Sequence, residues 1–294
     1  MNSIQQTLYG LSSVLYSLAG VQPTIPPMET VNERLTILPD LRPNITEQVK
    51  LGVLMIGNGG YGCVAGNGGR PKIRPHNHTA TDAAPFEPMP FVLRPANDDL
   101  NAGERARYCL RKEVEVGGEL YYGYYGMRLR LTKENFKVTK LEISKVNGIV
   151  QEKIFEADSS NISPTPVDLP PNQAIVAADR AVRVTAPIEV VLDRLVVEEI
   201  IEASKILNGG DETSAVISEF AICTGADRLV SVPSTEGQIQ FTESIATQVF
   251  SFASDLIALY FNKKEQTVTF DVGAQIPLIS VESIPTITTI PTGP

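Results

Sequence analysis

The sequence predicts an α+β chain whose core is β-rich, antiparallel and sandwich-like, with an N-terminal helix and an extended C-terminal arm. Apolar residues alternate with polar ones on both sides of Asn147-Gly148, a pattern that predicts a β-hairpin because both turn residues tolerate positive φ. The stretch RLVVEEIIEASKIL has a helical period and ends at Asn208-Gly209-Gly210, which predicts a helix with a glycine stop. The tail GAQIPLISVESIPTITTIPTGP alternates Ile, Val and Thr but contains prolines, so it favours an extended arm over a central strand.

The N-terminal segment carries apolar residues at alternating steps of four and three, the spacing of a helix-packing seam. The members of this N-terminal seam are Ile4, Leu8, Leu11, Leu15 and Leu18. The opposite face holds Ser, Gln and Tyr without a charge, which is unusual for a solvated helix. The pattern predicts packing either on the chain's own body or on a neighbouring subunit, and it leaves both open.

Composition shifts divide the chain into four segments. Residues 1–50 combine the helix with a proline-rich connector, and residues 51–135 contain a Gly/Pro-rich loop and a tyrosine-rich segment. Residues 136–272 form the predicted β-rich core, and residues 273–294 form the arm. Within the core, one helix face is predicted to be apolar, comprising Val197, Ile200, Ile201, Ser204 and Leu207. The stretch GQIQFTESIATQVFSFASDLIALYF fits either a helix or a strand.

Charge and cysteine content exclude several classes of protein. The 294 residues include 25 basic and 34 acidic side chains, a net charge of −9, which disfavours sequence-specific nucleic-acid binding. Cys63, Cys109 and Cys223 lie far apart, so neither a zinc site nor a disulfide framework is indicated. The first 20 residues lack the basic start and unbroken apolar run of a signal peptide or membrane span, and no membrane partner is expected.

A glycine-rich stretch, VLMIGNGGYG, contains the GxGxxG spacing at Gly57, Gly59 and Gly62. A dinucleotide site requires a strand before these glycines and a helix after them. The strand pattern is present, but the following CVAGNGGRPKIRPHNHT is interrupted by glycine and proline. The stretch is therefore predicted to be a structural loop, and no cofactor is expected.

The two histidines of the chain, His76 and His78, form an HxH pair near Asp82 and Glu87. Such a pair can supply two metal ligands from one strand, with a carboxylate as a third. Because the chain has no other histidine, ordinary hydrogen bonding in a loop is the favoured interpretation. No GxSxG, P-loop or other catalytic set is present. The sequence predicts a protein that is not an enzyme, and a metal- or nucleotide-binding enzyme using the glycine loop and this pair stays as the rival class.

A tyrosine-rich stretch, YYGYYG, is predicted to form a contact surface rather than a base-stacking platform, because the chain is acidic. Its members are Tyr121, Tyr122, Tyr124 and Tyr125. The arm adds apolar candidates for contact with a neighbouring copy, namely Ile276, Leu278, Ile284 and Ile287. Together with the N-terminal seam, these residues make up the predicted interface of a homo-oligomer.

Several blocks of the chain carry a resemblance to a known class of protein. They are LGVLMIGNGGYGCVAG, HTATDAAPFEPMPFVLRPANDDLNAGERARYCLRKE, AVISEFAICTGAD, TESIATQVFSFASDLIALYF and TVTFDVGAQIPL. These blocks, which span Leu51 to Leu278, resemble structural proteins from the virions of contractile-tailed bacteriophages. The resemblance implies a ring component of the neck or collar at the head-to-tail connection, with a baseplate or tail-completion protein as the alternative. It also implies assembly in the host cytoplasm, location in the virion, and itself and other virion proteins as partners.

Overall fold

Antiparallel β-strands dominate the computed structural model, which describes residues 14–21, 50–65, 71–76, 78, 84–159, 161–163, 166, 168, 173–235 and 237–283. The strands are β1 Lys50–Gly57, β2 Tyr61–Ala65, β3 Pro71–Pro75, β4 Pro88–Met89, β5 Val92–Pro95, β6 Tyr108–Val116, β7 Glu119–Arg128, β8 Thr139–Val146, β9 Ile149–Ile154, β10 Gln173–Leu192, β11 Val216–Ser234, β12 Gly237–Ala258 and β13 Gln266–Ser283. Three α-helices follow β1 in the described part of the chain: α1 Ala102–Arg105, α2 Arg194–Leu207 and α3 Leu259–Asn262. The predicted β-rich antiparallel core is confirmed, whereas the α+β description applies only loosely because α2 alone exceeds one turn among these three helices.

Two sheets carry most of the strands. The large sheet has the order β12-β11-β1-β7-β5, with β4 paired to β1 and β6 paired to β7. The small sheet has the order β13-β10-β8-β9, and β2 pairs with β3 in a separate ribbon. Every pair in both sheets is antiparallel.

Both sheets and α2 contribute to one apolar core. Phe220 on the large sheet and Phe270 on the small sheet meet edge to face, with ring centroids 5.4 Å apart. Ile200 of α2 is fully buried in the same core. Two antiparallel sheets therefore bury their inner faces against each other, as in β-sandwich proteins.

The hairpin and the helix predicted from local sequence patterns are both present. The hairpin is confirmed, since β8 and β9 are joined at Asn147-Gly148 with φ values of 53° and 80°. The helix is confirmed as α2, whose N-cap Asp193 accepts a hydrogen bond from the backbone of Val196. Leu207 does not complete the buried face, because it lies in the last turn of α2 and is 37% exposed.

The segment that fitted either a helix or a strand forms β12 and then α3. It pairs with β11 along a hairpin that continues beyond the rest of the large sheet. The hairpin curls back onto β5 and β7, because Phe241 contacts the ring of Tyr124 and the Thr235 hydroxyl donates to the Ala96 carbonyl. Long-range packing therefore selects the strand.

The predicted C-terminal arm is incorporated into the small sheet up to Ser283. Residues 273–283 pair with β10 of the same chain, from Gly273 opposite Thr185 to Ser283 opposite Gln173. The prediction of an arm outside the core sheets was wrong for residues 273–283, whereas the prediction that its prolines exclude a central strand is confirmed. β13 is an edge strand, and an edge tolerates a missing N–H. Ile276 is buried and Leu278 is half-buried within the chain. Ile284 and Ile287 lie outside the described residues.

The N-terminal seam is described only from residue 14 onward. Residues 14–18 are helical. Leu15 is 3% exposed and packs against Val184 of β10, and Leu18 packs against the main core. The described part of the seam therefore docks on the chain's own body. The remaining seam residues lie outside the described part of the chain, namely Ile4, Leu8 and Leu11.

Buried acidic groups predict loss of stability at alkaline pH. Burial raises the pKa of Tyr108 and of the Cys109 and Cys223 thiols to about 12. In the unfolded chain the thiols and the phenol titrate near their ordinary values of 9.0 and 10.0. Between these values and about 12, the three groups lose their protons in the unfolded chain but not in the folded one, which stabilises the unfolded state. Their contribution to the free energy of unfolding is therefore complete below pH 9.0 and is lost as the pH rises toward about 12.

Urea unfolding at steps from about pH 8 to about pH 11 measures this effect. The free energy of unfolding is expected to stay level up to about pH 9 and to fall from there to about pH 11. The double variant Cys109→Ala/Cys223→Ala should show a shallower fall. A free energy that does not change over this range would contradict the burial of these groups.

Candidate functional site

A buried carboxylate lies at the centre of the glycine-rich loop. Glu219 projects from β11 and its side chain is 0% exposed. Its Oε1 accepts hydrogen bonds from the backbone N–H groups of Gly59 and Glu87, at 3.0 and 2.9 Å. Its Oε2 accepts one from the backbone of Phe86 at 3.0 Å and lies 2.9 Å from Nε2 of His78. One carboxylate therefore connects three segments that are far apart in sequence.

The two histidines of the HxH pair have different surroundings. The ring of His78 is stacked between Phe86 and Phe252, with centroid distances of 4.0 and 3.6 Å. His76 is exposed, and its Nδ1 lies 3.0 Å from the carbonyl oxygen of Gly59. Both rings thus make hydrogen bonds around the glycine loop, one directly and one through Glu219.

In the described part of the chain, no carboxylate completes a metal site with the HxH pair. Glu87 supplies its backbone N–H to Glu219, and Asp82 lies outside the described residues. Within those residues, no group of three or more His, Cys, Asp and Glu side chains is placed to hold a metal ion. The pair itself was visible in the sequence, but its Glu219 partner was not, because 141 positions separate Glu219 from His78.

The glycines of the loop are needed for close backbone approach. A Cβ on Gly60 would lie 2.2 Å from the carbonyl oxygen of Ser218, and one on Gly57 would lie 2.6 Å from that of Glu87. The N–H of Gly60 donates to the Ser218 hydroxyl at 2.9 Å. After the loop the chain enters β2 rather than a helix. The close contacts on the loop are therefore made by protein, and the helix of a dinucleotide site does not follow it.

Gly60→Ala is expected to lower the free energy of unfolding by about 1–3 kcal/mol, the usual range for overpacking a close contact. Gly52→Ala is the matched control, because its Cβ would lie 3.7 Å from the nearest atom, the carbonyl oxygen of Leu129. Chemical denaturation of both variants makes the comparison. Equal stabilities would mean that the close approach of Gly60 to β11 does not hold.

The tyrosine-rich stretch lies in β7, where successive side chains point to opposite faces. Tyr122 and Tyr124 are buried, so these two do not form the exposed contact surface predicted from the sequence. Tyr121 and Tyr125 are half-buried and keep part of their surface exposed. The alternation of the strand divides the four tyrosines between the core and the outer face.

A polar cluster missed by the sequence analysis holds the buried tyrosines. The Tyr124 hydroxyl donates to Asp99 at 2.7 Å, and the Arg111 guanidinium donates to the other carboxylate oxygen at 3.0 Å. The same guanidinium lies 3.5 Å above the ring of Tyr122. Nε of Arg111 has no hydrogen-bond partner among the described residues, but the hydrogen bonds that the cluster does make favour one arrangement of the core. The run DDLNAGERARYCLRKE was a signal of charge pairing, but it did not indicate which residues meet.

A cleft of about 870 Å³ contains several basic side chains in its walls. Asp227 neutralises two of them, Lys50 at 3.1 Å and Arg128 at 2.5 Å. Burial raises the pKa of Asp227, but hydrogen bonds from these two cations more than offset this and hold it below its ordinary value. Arg107 pairs outside the cavity with Asp193 at 2.9 Å. These three cations, Lys50, Arg107 and Arg128, therefore join β-strands to one another and to the N-cap of α2 through ion pairs.

Comparison with known proteins assigns the chain to a family of unknown function. A family model described as a family of unknown function, DUF7208, matches residues 1–286. The chain belongs to the DUF7208 family. No curated protein and no solved structure matches this DUF7208 chain. No helix of the described residues is long and apolar enough to cross a membrane.

Strand β9, at the edge of the small sheet of this DUF7208 chain, exposes several apolar side chains. Ile149, Val150 and Ile154 are 67%, 59% and 63% exposed. All six residues of β9 are exposed, and β8 is its one partner among the described strands. An apolar strand with a free edge is suited to pairing with another chain. The sequence predicted the hairpin that carries this strand but not its exposure.

Proposed function

We propose that this chain is a non-enzymatic structural subunit of a tailed-phage virion, forming a homo-oligomeric ring at the neck or collar. The observation that carries the proposal is the exposed apolar edge strand β9. Exposed strand edges promote pairing between chains unless they are blocked or covered. The resemblance of residues Leu51 to Leu278 to virion proteins of contractile-tailed phages supports the same assignment. A ring subunit needs an exposed surface of this kind.

The surroundings of the glycine loop support a structural role over an enzymatic one. Both oxygens of Glu219 are used in holding the loop, and the ring of His78 is enclosed between two phenylalanines. Differential scanning fluorimetry with NAD, FAD, ATP and divalent metal ions separates the two classes. We expect no shift in the unfolding midpoint, whereas saturable stabilisation by one of these ligands would favour the metal- or nucleotide-binding enzyme.

The position of the protein within the virion is tested on purified particles of the phage that encodes this chain. Antibody labelling under the electron microscope is expected to mark the neck, between head and tail. Label at the far end of the tail would favour the baseplate or tail-completion alternative. Absence of the chain from the purified particles by mass spectrometry would overturn the proposal.

A further inference from the structure

Among the described strands, the small sheet has two different edges without a further partner. Its order is β13-β10-β8-β9, so β13 and β9 are each paired on one side among the described strands. Because successive strands alternate in direction, β9 runs opposite to β13. If a second copy continues the sheet, its β13 would lie antiparallel to β9 of the first. The alternation of the sheet would then carry on without interruption.

We propose that β9 of one copy pairs with β13 of the next, so that the small sheet continues from subunit to subunit. This inference rests on the proposed function, and it specifies the contact that builds the ring. The contact joins two different surfaces, so it is heterologous and leaves one free edge at each end of any open chain of subunits. Such contacts produce closed rings or open filaments rather than closed dimers.

The β9 edge has backbone donors that point outward. In a two-residue hairpin the residues flanking the turn, Val146 and Ile149, form a hydrogen-bonded pair. The N–H of Phe155 donates to Lys140 at 2.9 Å, which agrees with this alternation. The N–H groups of the intervening residues therefore face away from β8, and Val150 provides one of them.

Prolines define the outward side of β13. Pro187 of β10 lies opposite Asp271, and Pro277 of β13 lies opposite Ala181. Since proline has no N–H to contribute to the ladder, both are non-hydrogen-bonded pairs, and the N–H of Asp271 points away from β10. By the same alternation the N–H of Thr269 also points outward, and both residues have exposed side chains.

The β9 edge and the β13 edge carry charges of opposite sign. In the β8–β9 hairpin, Glu142 and Glu152 form ion pairs with arginines of β10. Lys145 and Lys153 have no ion pair within the described part of the chain and give the hairpin a positive edge. β13 contains acidic residues and no Lys or Arg, and Asp271 likewise has no ion pair in the described part. A positive edge thus faces a negative one across the proposed contact.

The sheet itself shows that a long cation can reach across one strand. Arg183 of β10 reaches over β8 to Glu152 of β9, at 2.7 Å. Lys145 lies on the same face as Val150, and Asp271 lies on that face of β13. Lys145 would therefore have to cross only β9 to meet Asp271 of the next copy.

Two proline variants test the pairing, because each removes one outward N–H without breaking the chain's own ladder. Val150→Pro blocks the β9 edge and Thr269→Pro blocks the β13 edge, with Val150→Thr and Thr269→Val as matched controls. Sedimentation velocity is expected to show assemblies for the wild type and both controls, and a monomer for each proline variant. Circular dichroism should show unchanged secondary structure.

Mixing the two proline variants is the decisive step, since each keeps the edge that the other lacks. An equimolar mixture is expected to form a heterodimer and nothing larger. A mixture that stays monomeric, or a Val150→Pro variant that assembles like the wild type, would overturn the inference while leaving a ring built through another surface. A wild type that is monomeric at every concentration would overturn both the inference and the proposed function.

A charge variant keeps the test informative if Thr269→Pro unfolds. Asp271→Lys places a cation on the β13 edge, opposite the lysines of the hairpin, and is expected to raise the dissociation constant at least about tenfold at low salt. Asp271→Asn, the milder control, should give a smaller increase. Equal assembly of Asp271→Lys and the wild type at low salt would contradict the complementary edges.

Discussion

Glu219→Ala is expected to lower the free energy of unfolding by about 3–5 kcal/mol, the range for removing one member of a buried charged network. The reason lies in the number of groups that depend on this carboxylate. Three backbone N–H groups and the ring of His78 surround it. Without it, the donor of Gly59 stays buried without a partner, which is itself destabilising.

Glu87→Ala is the control, because Glu87 is exposed and its contribution to the cluster is a backbone N–H that alanine retains. Chemical denaturation of both variants should show a large loss for Glu219→Ala and little change for Glu87→Ala. Glu219→Gln keeps the size but replaces one acceptor oxygen by a donor, so an intermediate or large loss is expected. A loss below about 1 kcal/mol for Glu219→Ala, the worth of a single ordinary hydrogen bond, would contradict the central role of this residue.

Truncation after Val272 is expected to lower the unfolding midpoint at every protein concentration. The deleted stretch includes Gly273–Ser283, which pairs with β10 in the same chain, and the buried side chain of Ile276. Burial of one large apolar side chain contributes about 1.5–3 kcal/mol, and the lost ladder adds to this. Because the contacts lie within one chain, dilution should not change the size of the effect.

Truncation after Ser283 is the matched control, since it keeps every described pair of β13. Thermal denaturation and sedimentation over a concentration series distinguish the two possible roles of the arm. A midpoint that is unchanged after truncation at Val272, together with a loss of assembly, would show that the arm acts between subunits. The edge formed by Thr269 and Asp271 remains in both truncated chains, so the proposed β9–β13 contact can be tested separately.

Features fixed by neighbouring residues were predictable from the sequence. The hairpin at Asn147-Gly148 follows from a turn that only a few residue types favour. α2 follows from its apolar period and its terminal glycines. The absence of a helix directly after the GxGxxG stretch was also predictable from local sequence, because glycine and proline residues follow that stretch directly. In each case the deciding residues lie within a window of about 18 residues.

Features that depend on distant contacts were not predictable in the same way. Glu219 follows Ser218 in the stretch AVISEF, and nothing near it in sequence shows that it is buried against residues 59, 78, 86 and 87. The arm was misread for a related reason. Proline excludes a central strand, but the sequence does not say which strand lies at an edge. Edge position is a property of the whole sheet, and so is the exposure of β9.

The mass of the full-length chain in solution tests the central claim most directly. Sedimentation equilibrium over a wide concentration series should give multiples of 31.9 kDa, and negative-stain images of the same sample should show rings. The edge variants Val150→Pro and Thr269→Pro should reduce that mass to the monomer. A mass of 31.9 kDa at every concentration, with no particles in the images, would contradict a self-assembling structural subunit.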